Sequence, residues 1–152
     1  MRAVLLISGV TLLLIGCTTS TPQHHQNSQI HKGEILYQVS CAACHQPNGR
    51  GLEGIAPPLA GTRWSNEPED RLIRIVLHGL RGPIIVSDKE YNLEMPAMGF
   101  FDDQDIAAIL TYIRATWGKP FEPVTPEVVG KVRIQTRERT DSWTVEELLQ
   151  SP

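Results

Sequence analysis

Long apolar runs are scarce in this chain of 152 residues. After Ile15 none approaches the roughly 20 residues that cross a bilayer as a helix, which argues against a polytopic membrane protein. A basic excess is also missing. Lys and Arg number 14 against 17 Asp and Glu, the net charge is −3, and no basic stripe appears, so a nucleic-acid binder is not expected. Aromatic residues make up only 6%, so part of the bulk of a core has to come from elsewhere. Cysteines number three and cannot all pair with one another, and each needs its own explanation. What is present, 41% apolar and 20% charged residues, suits one folded domain of ordinary size rather than disorder.

The first cysteine bears on the chain's address. Met1-Arg2 is a minimal positive start, and Ala3 to Ile15 is a nearly unbroken apolar run, too short to span a membrane and of the length of a signal-peptide core. It ends Leu14-Ile15-Gly16-Cys17. That ending resembles the lipobox of bacterial lipoproteins. The resemblance implies removal of residues 1–16, a lipid on Cys17, and durable anchoring by several acyl chains. Thr18 rather than an aspartate follows the cysteine, which resembles the pattern sent to the outer rather than the inner membrane of a two-membrane cell. Residues 18–28 hold no apolar side chain, so residues 17–28 read as a flexible tether. His24 and His25 in that stretch read as solvated rather than as a metal site.

The other two cysteines stand in Cys41-Ala42-Ala43-Cys44-His45. A Cys-x-x-Cys-His run reads as c-type haem attachment. Two intervening residues let one turn of chain offer both thiols to the vinyl groups of a single haem, and the adjacent imidazole can then ligate the iron. Zinc would want a second cysteine pair, and a redox dithiol a βαβ surround; neither is visible, while a local disulfide stays a competing reading.

Further motifs follow in order. Before the thiols, Ile30, Ile35, Leu36 and Val39 suggest an amphipathic helix with Gly33 and Tyr37 one turn apart on one face. After them, residues 49–61 are too rich in glycine and proline for a regular element, a backbone able to lie tight against a flat cofactor. Apart from the initiator the only methionines are Met95 and Met98, in Met95-Pro96-Ala97-Met98-Gly99, just ahead of the last strong helix.

Together these motifs resemble the monohaem class I cytochromes c of bacteria, over about residues 30–117. The resemblance implies an all-α fold of three to four main helices around one covalently bound haem c, in a domain spanning residues 29–118. It implies thioether bonds to Cys41 and Cys44, His45 as proximal axial ligand, and the carbonyl of Pro57 (or Pro58) as hydrogen-bond acceptor for the ring of that histidine. The sixth ligand would be Met95, since the family carries Met followed by Pro, with Met98 as the alternative and His78 as a rival of another kind. Gly33 and Tyr37 match the places where the first helix crosses the last.

The rest of the domain can be read coarsely. A middle helix starts near Pro68-Glu69-Asp70, buries Leu72, Ile73, Val76 and Leu77, and ends at Gly79. Ile84–Val86 and Tyr91 flank a polar turn of four residues, Ser87 to Glu90, and suggest a small β-hairpin before the Met loop. The final helix runs over about residues 103–117, with Asp102 as N-cap and Ile106, Ile109, Leu110, Ile113 and Trp117 as buried stripe. Its Ala107-to-Trp117 stretch resembles cytochromes that serve quinoprotein dehydrogenases and copper nitrite reductases.

Residues 119–152 form a C-terminal extension. Pro120, Pro123 and Pro126 suggest an extended link, then short helices over 127–136 and 144–150, the second with a Thr144/Glu147 capping box. Val128, Val129, Val132, Ile134 and Trp143, with Leu148 and Leu149, are too apolar for an idle tail, so the segment either wraps the domain or docks a partner. Lys131, Arg133, Arg137 and Arg139 read as a solvated basic face.

The expected function is electron transfer rather than catalysis. With both axial positions held by the protein, the iron offers no open site, and no acid–base pair is placed for chemistry. The chain is expected to carry one electron on the periplasmic side of a bacterial membrane, held there by its lipid. Its partners would be redox proteins such as a quinoprotein dehydrogenase or a terminal reductase or oxidase. Glu90, Glu94, Asp102, Asp103 and Asp105 make the Met loop acidic and suggest a basic partner. Two alternatives remain: a haem subunit dedicated to one dehydrogenase, and a haem sensor or gas-binding protein with a labile sixth ligand.

Overall fold

The computed structural model describes residues 22–118 and 122–151, with side chains from residue 24 on. The expected signal segment 1–16, the expected lipidation site Cys17 and residues 18–21 lie outside the described residues. The elements are α1 (Pro22–Ser40), α2 (Ala42–His45), a 3-10 turn (Arg63–Asn66), α3 (Glu69–His78), β1 (Ile84–Val86), β2 (Lys89–Tyr91), α4 (Asp103–Trp117), α5 (Pro126–Gln135) and α6 (Val145–Gln150). The architecture is helical with one small hairpin, as the resemblance to class I cytochromes c implies.

The first helix begins earlier than the sequence suggests. It starts at Pro22, so much of the segment expected as a flexible tether is helical. Proline fits the first turn of a helix, where its missing N–H has no intrahelical partner to lose. The exposed polar turn of His24 to Ser28 simply extends a helix already nucleated by packing further along. Ile35 and Val39, expected on the buried face, are exposed instead; Gly33, Tyr37 and Leu36 face the core.

The main core lies where α1 crosses α4. Tyr37, Ile106, Ala107, Ile109 and Leu110 are all but inaccessible, and Leu72, Ile73, Val76 and Leu77 of α3 join them. Tyr37, Tyr112 and Trp117 form an aromatic cluster with ring centroids 5.2 to 5.7 Å apart. Asp102 caps α4, accepting from the Asp105 amide at 2.8 Å.

The extension packs on the domain. Val124, Val129, Val132 and Leu148 are at most 2% exposed. Its first turn is stapled to α1 and α4: Thr111 Oγ1 accepts from the Val124 amide (3.0 Å), and Gln29 Nε2 donates to Val124 O (2.7 Å). The capping box of α6 is complete, Thr144 and Glu147 each bonding the other's backbone. A second cluster gathers Trp64, Ile75, Ile84, Val86, Tyr91 and Leu148, with Leu80, Met95 and Trp143 against it.

The hairpin turn is shorter than the sequence suggests. Lys89 and Glu90 pair with Val86 and Ile85, leaving two turn residues. Ser87 and Asp88 both take positive φ (51° and 61°), as a tight turn matched to strand twist requires. Among the described residues no helix is long and apolar enough to cross a membrane.

Candidate functional site

The Cys-x-x-Cys-His motif occupies the short turn that follows α1. Ser40 ends α1, and α2 starts at once, its hydrogen bonds running from the amides of Cys44 and His45 to Cys41 O (3.1 and 2.9 Å). One tight turn therefore carries both thiols, Cys41 half-buried and Cys44 exposed, and neither is paired in a disulfide. Burial and the neighbouring thiol push Cys41 up to about 11. Tyr37 anchors the turn: its hydroxyl donates to Gln46 O at 2.8 Å, and burial raises its phenol well above the usual range.

His45 Nδ1 lies 2.9 Å from the carbonyl oxygen of Pro57. A carbonyl only accepts, so Nδ1 carries the proton and Nε2 keeps a free lone pair. Burial lowers the imidazole pKa, opposed by that backbone bond, and so favours the neutral ring, the form that ligates metal. The glycine- and proline-rich loop is what delivers Pro57. Leu59 and Ala60 bond back to Gly49 O, and Gly51 bonds to His45 O.

Met95 sits on the second cluster, while Cys41 packs on the main core. The backbone of Met95 pairs with Leu80 in both directions, at 2.8 and 3.1 Å. Met98 packs on the main core, and its amide bonds to Val76 O at 2.8 Å. His78 turns away to the extension, with Nε2 2.7 Å from Thr136 Oγ1 and its ring against Trp143. His24 and His25 are exposed.

Two charge patterns read differently in three dimensions. Arg133 is not a free surface cation: it pairs with Asp103 (2.8 Å) and donates to the carbonyls of Gly99 and Phe101 (2.9 and 2.8 Å), bracing the chain between Met98 and α4. Arg139, with its side chain only 17% exposed, bonds Ser142 O and Glu147 and stacks 3.7 Å from the Trp143 ring. Four of the five acidic side chains of the Met loop have partners within the chain. Asp102 caps α4, Asp103 faces Arg133, Asp105 faces Lys32 (2.7 Å), and Glu94 accepts from Ser142. Only Asp103 and Asp105 of the five face a cation, while Glu90 is exposed on the hairpin, so the acidic character expected of this face is reduced and not abolished.

The residues present fit a haem. Free thiols, a neutral imidazole with a free Nε2 and a thioether are the donor set of a c-type centre. Trp64, which sequence reasoning passed over, is 7% exposed in the Met95 cluster, yet its Nε1–H has no protein acceptor. A buried donor left unmet is costly, and the Nε1–H of Trp143 in the same cluster is unmet as well. Leu52 and Ile55 on the loop and Ile85 on the hairpin are exposed apolar side chains. An ion pair of Lys89 with Glu53 (2.8 Å) ties that loop to the hairpin.

Comparison with known proteins agrees. Residues 28–113 match the family model described as cytochrome c oxidase, cbb3-type, subunit III. The chain is 40% identical over 112 residues to cytochrome c-552 of Thermus thermophilus, covering 68% of this chain and 85% of that protein. It is 37% identical over 108 residues to the gluconate 2-dehydrogenase cytochrome c subunit of Pantoea cypripedii, which is 66% of this chain and 24% of that one. It is 30% identical over 134 residues to the cytochrome c subunit of alcohol dehydrogenase (quinone) of Gluconacetobacter polyoxogenes, 83% of this chain and 25% of that one. The chain belongs to the cytochrome c family, whose members carry covalently bound haem c and act as electron carriers.

Proposed function

We propose that this cytochrome c is a monohaem carrier with His45 and Met95 as axial ligands, tethered by a lipid on Cys17 to the periplasmic side of a bacterial membrane. Haem c supplies a one-electron Fe(III)/Fe(II) couple, and methionine opposite histidine favours the reduced state relative to a harder ligand. The chain's own residues do the rest. Cys41 and Cys44 hold the group through thioether bonds. His45 presents Nε2 because Pro57 holds the Nδ1 proton, and Trp64 offers a donor to a polar edge. Met95 presents its sulfur from a loop whose backbone is fixed to Leu80. The observation that carries the reading is the His45–Pro57 bond beside two unpaired thiols in one turn.

The choice of Met95 over His78 rests on where His78 points, toward Thr136 and Trp143. The choice over Met98 rests on the Met-Pro pair and on the packing of Met98 into the main core. If Cys17 carries a lipid, the start of α1 lies only five residues on, a reach of at most about 18 Å. The domain then stays close to its membrane, the outer one in a two-membrane cell by the Thr18 pattern. Its partners must come to that surface.

A second reading has support of its own. Several relatives are named as cytochrome subunits of dehydrogenases, and this chain spans about a quarter of their length. On that reading the protein is a haem subunit dedicated to one dehydrogenase. Protein matured in a host able to attach haem tests both readings. One haem and one electron per chain, with no rapid carbon monoxide binding when reduced, supports the carrier. Fast carbon monoxide binding would replace it with a sensor or gas binder. Co-purification with a dehydrogenase after mild solubilisation would favour the dedicated subunit.

A further inference from the structure

The Met loop is braced from behind by the C-terminal extension. Leu80 exchanges two backbone hydrogen bonds with Met95. On the other side of the same strand-like segment, the Trp143 amide donates to Gly79 O (3.1 Å), and Trp143 O accepts from the Arg81 amide (2.8 Å). Residues 79–81 thus form the middle rung of a three-strand patch, with Met95 along one edge and Trp143 along the other. A side-chain bond closes the patch directly, Ser142 Oγ donating to the Glu94 carboxylate.

The outer rung is itself held in place. Arg139 lies 3.7 Å from the Trp143 ring and donates to Ser142 O (2.9 Å) and Glu147 (2.8 Å). Glu147 in turn closes the α6 capping box with Thr144. A Met loop without this backing would have only Leu80 as backbone partner at that end.

We infer that residues 139–147 are a positioning device for the sixth iron ligand, which by adding a rung behind Leu80 holds Met95 against displacement by other ligands. The inference rests on Met95 being that ligand. A positioning role differs from mere contribution to stability in one respect. Loosening the rung raises the affinity of the ferric iron for an added ligand even where global stability changes no more than for a core variant elsewhere.

Imidazole binding to the ferric, haem-loaded full chain tests this. The variants are Arg139→Met, which removes the clamp but not the ring, and Trp143→Leu, which removes the ring. Val129→Ala, in the buried face of α5 away from the ladder, is the control, with guanidinium unfolding measured for all. Loss of the Arg139 hydrogen bonds, or of the ring that Arg139 stacks on, predicts imidazole binding roughly tenfold tighter in Arg139→Met and Trp143→Leu than in wild type. Val129→Ala should bind as wild type does while losing stability. Unchanged imidazole affinity in Arg139→Met, or an equal rise in Val129→Ala, overturns the inference. If Trp143→Leu does not fold, Arg139→Met against Val129→Ala decides alone. A wild-type spectrum without the iron–methionine charge-transfer band overturns the ligand assignment as well, and does so before any variant is made.

Discussion

Gly33 of α1 lies so close to Ala108 of α4 that a Cβ on the glycine would sit 2.0 Å from the Ala108 carbonyl oxygen. Both partners at this crossing are helix backbone, which cannot rotate aside as a flexible side chain could. The spacing of α1 from α4 sets where α1 ends, and α1 ends at the thiols. A packing detail at residue 33 therefore governs the position of Cys41, two turns further on.

Gly33→Ala is expected to destabilise the haem-loaded protein by about 3 kcal/mol or more, the upper part of the range for overpacking in a rigid core. Guanidinium unfolding of the two proteins measures it. A loss below about 0.5 kcal/mol would mean the helices separate freely and the crossing is not the fixed point described.

Gly79 should behave differently. It has φ +83°, and an added Cβ would lie 2.3 Å from Met95 O. Gly79→Ala must therefore force a side chain into an extended positive-φ backbone (ψ 176°) that is nearly exclusive to glycine, at a cost of about 1–3 kcal/mol from the conformation alone, and push the Met loop away. The expected result is loss of the iron–methionine band on warming well before the helical circular dichroism is lost. Coincident loss of both signals would show that the turn acts only through overall stability.

His78 gives a pH dependence. Burial, then Arg139 and Arg133, lower its pKa in the folded protein, with Asp141 opposing, so the folded state keeps it neutral at pH values where an unfolded chain binds a proton. Stability is then fully present above the unfolded value of about 6.5 and falls as pH drops from there toward the depressed folded value. His78→Gln should flatten unfolding free energy between about pH 7 and pH 5. An unchanged slope in the variant would assign the pH dependence to other groups.

The parts legible in the sequence were those with local periodicity or a fixed spacing. Helices α3 and α4 follow from apolar stripes bounded by Pro68, Asp102 and glycine, and the thiol–histidine turn from five consecutive residues. The start of α1 was not legible, because the polar turn at 24–28 has no stripe and takes its helicity from packing beyond it. The roles of Arg133 and Arg139 were hidden for another reason. The partners of Arg133, which are Asp103, Gly99 and Phe101, are brought to it by the chain reversal after α4, and those of Arg139, which are Ser142 and Glu147, by the bend of residues 139–147, which carries no periodic stripe. Trp64 carried no signal beyond its being one of three tryptophans; its orphaned Nε1–H is visible only once burial is known.

The central claim is the sixth ligand, and the visible spectrum of haem-loaded wild type beside Met95→Ala and Met98→Ala tests it most directly. The account predicts a covalently attached low-spin haem whose iron–methionine charge-transfer band is present in wild type and Met98→Ala and absent in Met95→Ala. Loss of the band in Met98→Ala with its retention in Met95→Ala would contradict the assignment, and a high-spin wild type that binds carbon monoxide readily would contradict the carrier itself.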